Sequence, residues 1–189
     1  MHSADYELRY LEAGIDVLED YLFSSEIYWP VGVTAPSGAT PYPQLTLGGL
    51  LLAMKRAQAR VATPQEQARL ARIGEQIDAV RTRWRSAWGK KSAREYGSRL
   101  NLWRDFMEEY RQRPQANSDR YAYEVRRRVQ LQLLGSEADT IPQAQLSLKD
   151  GLDKLLRSVF IPGEFIWDND LATSFPANPF WYLYGRLRE

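Results

Sequence analysis

An all-α fold is what this sequence predicts, and three observations carry the prediction. Apolar residues recur at intervals of three and four over several long stretches, the period of one helix face. Helix-opening patterns stand directly in front of those stretches. A convincing two-residue alternation, the mark of half-buried strands, appears nowhere at useful length. The expected architecture is a bundle-like single domain spanning residues 1–189, with six or so helices packed ridge into groove.

Taken in order, Ser3 caps the first helix, on which Leu8, Leu11, Ile15, Leu18 and Leu22 form one stripe. Residues 24–45 carry Pro30, Pro36, Pro41 and Pro43, which remove backbone donors and exclude regular structure. Tyr28, Trp29 and Tyr42 are expected to pin that connection to the core. Thr46 caps a second helix with Leu50, Leu51, Met54 and Val61 facing inward. Thr63-Pro64-Gln65-Glu66 has the capping threonine, first-turn proline and returning glutamate of a capping box. The helix behind it shows Leu70, Ile73, Ile77, Val80, Trp84 and Trp88 on one face, with Gly89 as its expected end.

Ser92-Ala93-Arg94-Glu95 reads as a second capping box, opening a helix through Leu100, Trp103, Phe106, Met107 and Tyr110 up to Pro114. A further helix starts near Ser118 or Asp119, runs through Tyr121, Val125, Val129 and Leu133, and stops at Gly135. Ser147-Leu148-Lys149-Asp150 opens another, with Leu148, Leu152, Leu155 and Val159 inward and Pro162-Gly163 ending it. Asn178-Pro179 starts a short terminal helix, although Phe180-Trp181-Tyr182-Leu183-Tyr184 would suit a strand as well.

The two ends resemble each other. Gly14-Ile15-Asp16-Val17-Leu18 returns as Gly151-Leu152-Asp153-Lys154-Leu155, and Glu26-Ile27-Tyr28-Trp29 as Glu164-Phe165-Ile166-Trp167. Ala39, Pro41, Tyr42 and Leu45 then meet Ala177, Pro179, Phe180 and Leu183 at the same offset. The sequence therefore predicts a repeated helix-plus-loop unit, roughly 8–50 and 145–187, flanking a basic helical middle at 51–135.

Composition removes whole classes of chemistry. There is no cysteine, so disulfides, thiolate nucleophiles and cysteine-based metal sites are excluded. The single histidine, His2, cannot serve a histidine-centred triad from the chain start. No glycine-rich phosphate loop or dinucleotide fingerprint occurs, and Asp168-Asn169-Asp170 is only a fragment of a calcium loop. No catalytic residue, metal ligand or cofactor is assigned. The start lacks an apolar leader core and no run suits a membrane span, so a cytoplasmic protein is the expectation.

The net charge of +1 conceals a segregation. Residues 1–45 carry seven acids against Arg9 alone, residues 46–135 nineteen bases against nine acids, and residues 136–189 eight acids against five bases. Either the acidic ends neutralise the basic middle on folding, or the middle faces an anionic partner.

Three candidate sites follow. Glu26, Trp29, Glu164 and Trp167 would make a groove of indoles and carboxylates for a cationic partner, provided the two repeats pack together; core packing is the simpler role for both indoles. Arg81, Arg85, Lys90, Lys91 and Arg94 form a basic surface interleaved with Trp84 and Trp88, which suits nucleic acid unless those indoles point inward. Glu12, Asp16, Glu19 and Asp20 on the first helix would suit a magnesium-dependent phosphohydrolase if further carboxylates converged on them. The expectation drawn from these is a non-enzymatic helical protein that binds a partner protein or itself. Its six Trp, eleven Tyr and twenty Arg are the residue types enriched at interfaces. Nucleic-acid binding through 81–104 and magnesium-dependent hydrolysis are the alternatives.

Overall fold

The chain, seen in a computed structural model that describes residues 3–189, opens as its capping signals predict. The Ser3 hydroxyl accepts from the Tyr6 amide at 3.1 Å and starts α1 (Ala4–Asp16). At Val17, φ −113° and ψ 5°, the helix breaks and resumes as α2 (Leu18–Phe23), so the single leucine stripe is carried by two pieces. Residues 24–46 are irregular, as their prolines require. Thr46 accepts from the Gly49 amide at 2.9 Å and opens α3 (Leu47–Arg60).

The capping box at Thr63 forms in full: Glu66 N donates to Thr63 Oγ1, and Glu66 Oε2 accepts from the Thr63 and Ala62 amides. It starts α4 (Pro64–Arg83). Thr63→Ala is expected to lower the Tm by roughly 2–4 °C, checked by thermal denaturation.

Gly89 does not end a helix, and Ser92 does not begin one. The break comes earlier, at Trp84, and α5 (Arg85–Gln112) then runs unbroken for 28 residues, about 42 Å. Gly89 is glycine for another reason. The following segment lies so close that a Cβ there would sit 1.8 Å from Asp139 Oδ1. Glu95, the supposed capping glutamate, is fully buried and serves a different helix.

Beyond α5 come two single turns, α6 (Pro114–Asn117) and α7 (Tyr121–Glu124), and then α8 (Arg126–Gly135), which stops at the predicted glycine. Helix α9 (Gln143–Val159) starts behind Pro142, a turn earlier than Ser147 suggested. It passes directly into β1 (Phe160–Phe165), which pairs antiparallel with β2 (Tyr184–Leu187). Pro162 and Gly163 disguise β1 in the sequence. A two-stranded sheet is all edge, where proline is tolerated. Between the strands lie a 3₁₀ turn at 169–174, the short α10 (Ala177–Phe180) and a second 3₁₀ turn at 181–183.

The fold is all-α apart from that small sheet. Helix α3 is central, touching α1, α4, α5, α8 and the 169–174 turn, while α5 packs along α8. One hydrophobic cluster joins all of these, with Trp88, Trp103, Phe106 and Phe175 among its largest buried side chains. No helix among the described residues is long and apolar enough to cross a membrane.

The two ends share one link and otherwise diverge. Trp29 N donates to Leu45 O at 3.0 Å, and Ile166 N donates to Leu183 O at 2.9 Å, a similar bond displaced by one residue from Trp167, the counterpart of Trp29. Yet Phe23 leads into irregular chain where Val159 leads into a strand, and Gly14 is buried where Gly151 is exposed. Asp16 faces solvent, while Asp153 holds Arg128 through oxygens at 2.7 and 2.9 Å.

The charge segregation resolves largely by pairing. Arg69 binds Asp5 and Glu12, Arg81 binds Glu137, and Arg128 binds Asp153. Arg60 gathers three carboxylates, Glu7 at 3.2 Å, Asp168 at 2.7 Å and Asp170 at 2.8 Å. The supposed calcium-loop fragment therefore holds a guanidinium.

Candidate functional site

Once those pairs are made, the cations left over are informative. Three of them, Arg85, Lys90 and Arg94, are exposed at the start of α5 and have no carboxylate partner among the described residues. They line a groove of about 490 Å³ between the end of α2 and the junction of α4 with α5. The floor is apolar: Leu22, Phe23, Trp84 and Ala87.

The local backbone builds this groove. Trp84, at φ −115° and ψ 36°, interrupts the α4–α5 rod and is only partly buried. Phe23 ends α2 and stands edge-on against it, ring centroids 4.8 Å apart and planes at 85°. Phe23 is 60 % exposed, the most open large apolar side chain among the described residues. Arg83 stacks over the Trp84 ring at 5.7 Å and pairs with Glu19 at 3.5 Å.

Two predicted members of the basic surface offer no free charge to the groove, although Lys91 lines it. Lys91 is buried, and its ammonium donates to the carbonyls of Ser24 and Glu26, both at 2.8 Å. Those carbonyls follow the last turn of α2, where helical partners run out, so Lys91 ties the departing chain to α5. Burial pushes its ammonium below the usual lysine value, and neighbouring Arg94 adds to that. Arg81 lies elsewhere, held by Asp78 at 2.8 Å and Glu137 at 3.1 Å. Trp88, expected to be interleaved with the cations, is buried and donates its indole N–H to Glu137 at 2.9 Å.

The indole–carboxylate groove does not assemble. Glu26 is exposed and its nearest polar contact is the hydroxyl of Ser25, while Glu164 is exposed on β1. Trp29 pairs backbone with Leu45; Trp167 donates its indole N–H to Ala122 O at 2.8 Å and faces the Arg56 guanidinium at 5.7 Å.

Neither a protein-family model, nor a curated protein, nor a solved structure matches this chain. The site must be read from its own chemistry.

Helix-1 acids do not converge either: Glu12 is held by Arg69 at 2.5 Å, and Glu19 pairs with Arg83. Among the described residues no group of three or more acids or histidines is placed to hold a metal ion. What the groove offers is positive charge beside an open aromatic pair, an arrangement suited to binding an anionic chain that also carries apolar or flat groups. The cations of this site were legible in the sequence but Phe23 was not, because the residue just after the Leu22 end of the stripe carries no sign of which way it faces.

Proposed function

We propose that this is a partner-binding protein whose groove between α2 and α5 docks an acidic segment of another protein. One observation carries the reading. Among the described residues, Arg85, Lys90 and Arg94 stand without carboxylate partners around an exposed Phe23. An apolar centre with a charged rim is the anatomy of an interface hot spot, and arginine and tryptophan are its favoured residues. From Arg85 to Arg94 the helix rises about 13 Å, the span of roughly four residues of extended peptide.

A second reading, single-stranded nucleic acid, is favoured by the Phe23–Trp84 pair, since a base stacks on an open ring. One experiment separates the two. The wild type and the triple variant Arg85→Glu, Lys90→Glu, Arg94→Glu are compared for capture of host proteins and for binding of a labelled oligo(dT). Protein recovered by the wild type and lost in the variant supports docking. Salt-sensitive oligo(dT) affinity transfers the groove to nucleic acid. A sample that is monomeric, recovers nothing and ignores oligo(dT) ends both readings, and self-association abolished by the variant makes the partner a second copy.

A further inference from the structure

A second cavity, of about 300 Å³, lies on a different side of the fold between α1, α3, α8 and the strap at 28–46. Its wall is aromatic, built from Tyr6, Tyr10 and Tyr28, with Leu52 and Ala53 of α3 behind them. Its charge is strongly unbalanced. Arg56, Arg99 and Arg126 line it, against the single carboxylate of Glu7.

Two of those four charges are already spent. Arg99 donates twice to Glu95 at 3.0 Å and once to Thr46. Glu7 is held by Arg60. Arg56 and Arg126 remain, and among the described residues neither has a carboxylate partner. Arg56 makes a cation–π contact with Trp167 and feels the charge of Glu7 at longer range. Arg126 lies over the Tyr123 ring at 3.6 Å and donates to that phenol. Burial draws the Arg56 guanidinium below its usual value; Glu7 opposes the shift, while Arg60 and Arg126 add to it.

A buried amide borders the same cavity. Gln130 of α8 is 6 % exposed, lines the cavity, and its Oε1 has no hydrogen-bond partner. That oxygen calls for a donor, which an ionised dianion does not supply, so it takes no part in gripping the anion. The start of α3 contributes no such opening, because the Gly48 and Gly49 amides are taken by Glu95 and Thr46.

We propose that this cavity binds a compact organic dianion, a phosphate monoester or a dicarboxylate, gripped by Arg56 and Arg126. Two guanidinium forks match two anionic oxygens or carboxylates, and the tyrosine faces accept a short apolar or flat scaffold. A cavity of this volume takes only a small molecule.

The test is thermal denaturation of the full chain with succinate, phenyl phosphate or inorganic phosphate, each against sodium chloride at equal ionic strength. Succinate or phenyl phosphate is expected to raise the Tm by about 5 °C at saturating concentration. Arg56→Met and Arg126→Met should each abolish that rise; Arg126→Met should leave the ligand-free Tm unchanged, while Arg56→Met lowers it modestly because buried Glu7 loses part of its compensation. Arg56→Lys, which keeps the charge and loses the fork, should weaken the response about tenfold in ligand concentration. Inorganic phosphate acting alone, with both organic dianions inert, overturns the assignment. So does a response no larger than that of chloride, or one that survives in Arg56→Met. The groove triple variant Arg85→Glu, Lys90→Glu, Arg94→Glu keeps the response, so the two sites fail or stand separately.

Discussion

Replacing Glu95 by alanine should lower stability by about 3–5 kcal/mol, an expected fall in Tm of roughly 10 °C. The carboxylate has no solvent exposure, and each oxygen is committed. Oε2 accepts from the Gly48 amide at 3.0 Å, at the first turn of α3, where backbone donors have no helical partner and the helix dipole is positive. Oε1 accepts from Arg99, whose side chain is 11 % exposed and whose Nη2 also reaches Thr46 at 3.1 Å. Removing the carboxylate strands a buried guanidinium and uncaps the central helix in one step. Glu95→Gln should recover only part of the loss, because it keeps the acceptor and drops the charge. Urea denaturation of the three proteins measures both differences. A loss under 1 kcal/mol for the alanine variant would show that Arg99 finds water instead.

Arg60→Ala is the second large effect, again about 3–5 kcal/mol at neutral pH. Arg60 joins Glu7 of α1 to Asp168 and Asp170 beyond β1, and its side chain is 6 % exposed. Asp168 and Asp170 reach solvent and can turn outward; Glu7, 2 % exposed, cannot. Burial already pushes the Glu7 carboxyl above its usual value, against the pull of Arg56 and Arg60. A raised value means that the contribution of Glu7 is fully present below its unfolded value and is lost as pH climbs through the folded one. Without Arg60 the folded value rises further. The variant's deficit should therefore shrink as pH falls from 7 to about 5, with denaturation at several pH values as the measurement. A deficit independent of pH would mean that Glu7 keeps its charge by another route.

The parts of the fold legible in the sequence are those set by short-range chemistry. Ser3, Thr46 and Thr63 each cap the helix that follows, since a hydroxyl two or three residues before an amide needs no distant partner. The readings that failed depended on neighbours far along the chain. Ser92 and Glu95 have capping-box spacing, but Glu95 is drawn to Gly48, 47 residues away. Gly89 looked like a stop because glycine is common there, whereas it leaves room for Asp139. The second repeat matched in residue type, yet Pro162 pairs antiparallel with Gly185, and Gly163 lies in the irregularity that follows within the same strand.

For the sites the division is similar. Arg85, Lys90 and Arg94 were visible as charge, and their convergence on one groove follows from the unbroken α5. Lys91, their neighbour in sequence, turns inward because the carbonyls after α2 lie beneath it. Arg56 and Arg126 left little trace, being two arginines among twenty and separated by 70 positions. A faint signal existed: Arg56 interrupts the otherwise small and apolar face formed by Ala53 and Ala57 of α3.

The three-way grip of Arg60 has a consequence for the order in which the protein can be finished. Two of its anchors are made 108 and 110 residues later. During synthesis α1 and α3 leave the ribosome long before Asp168 does, so until then the guanidinium has only Glu7 to hold. The segment around Asp168 and Asp170 thus acts as a latch on α1 and α3, and the three-way grip closes only after that segment has emerged.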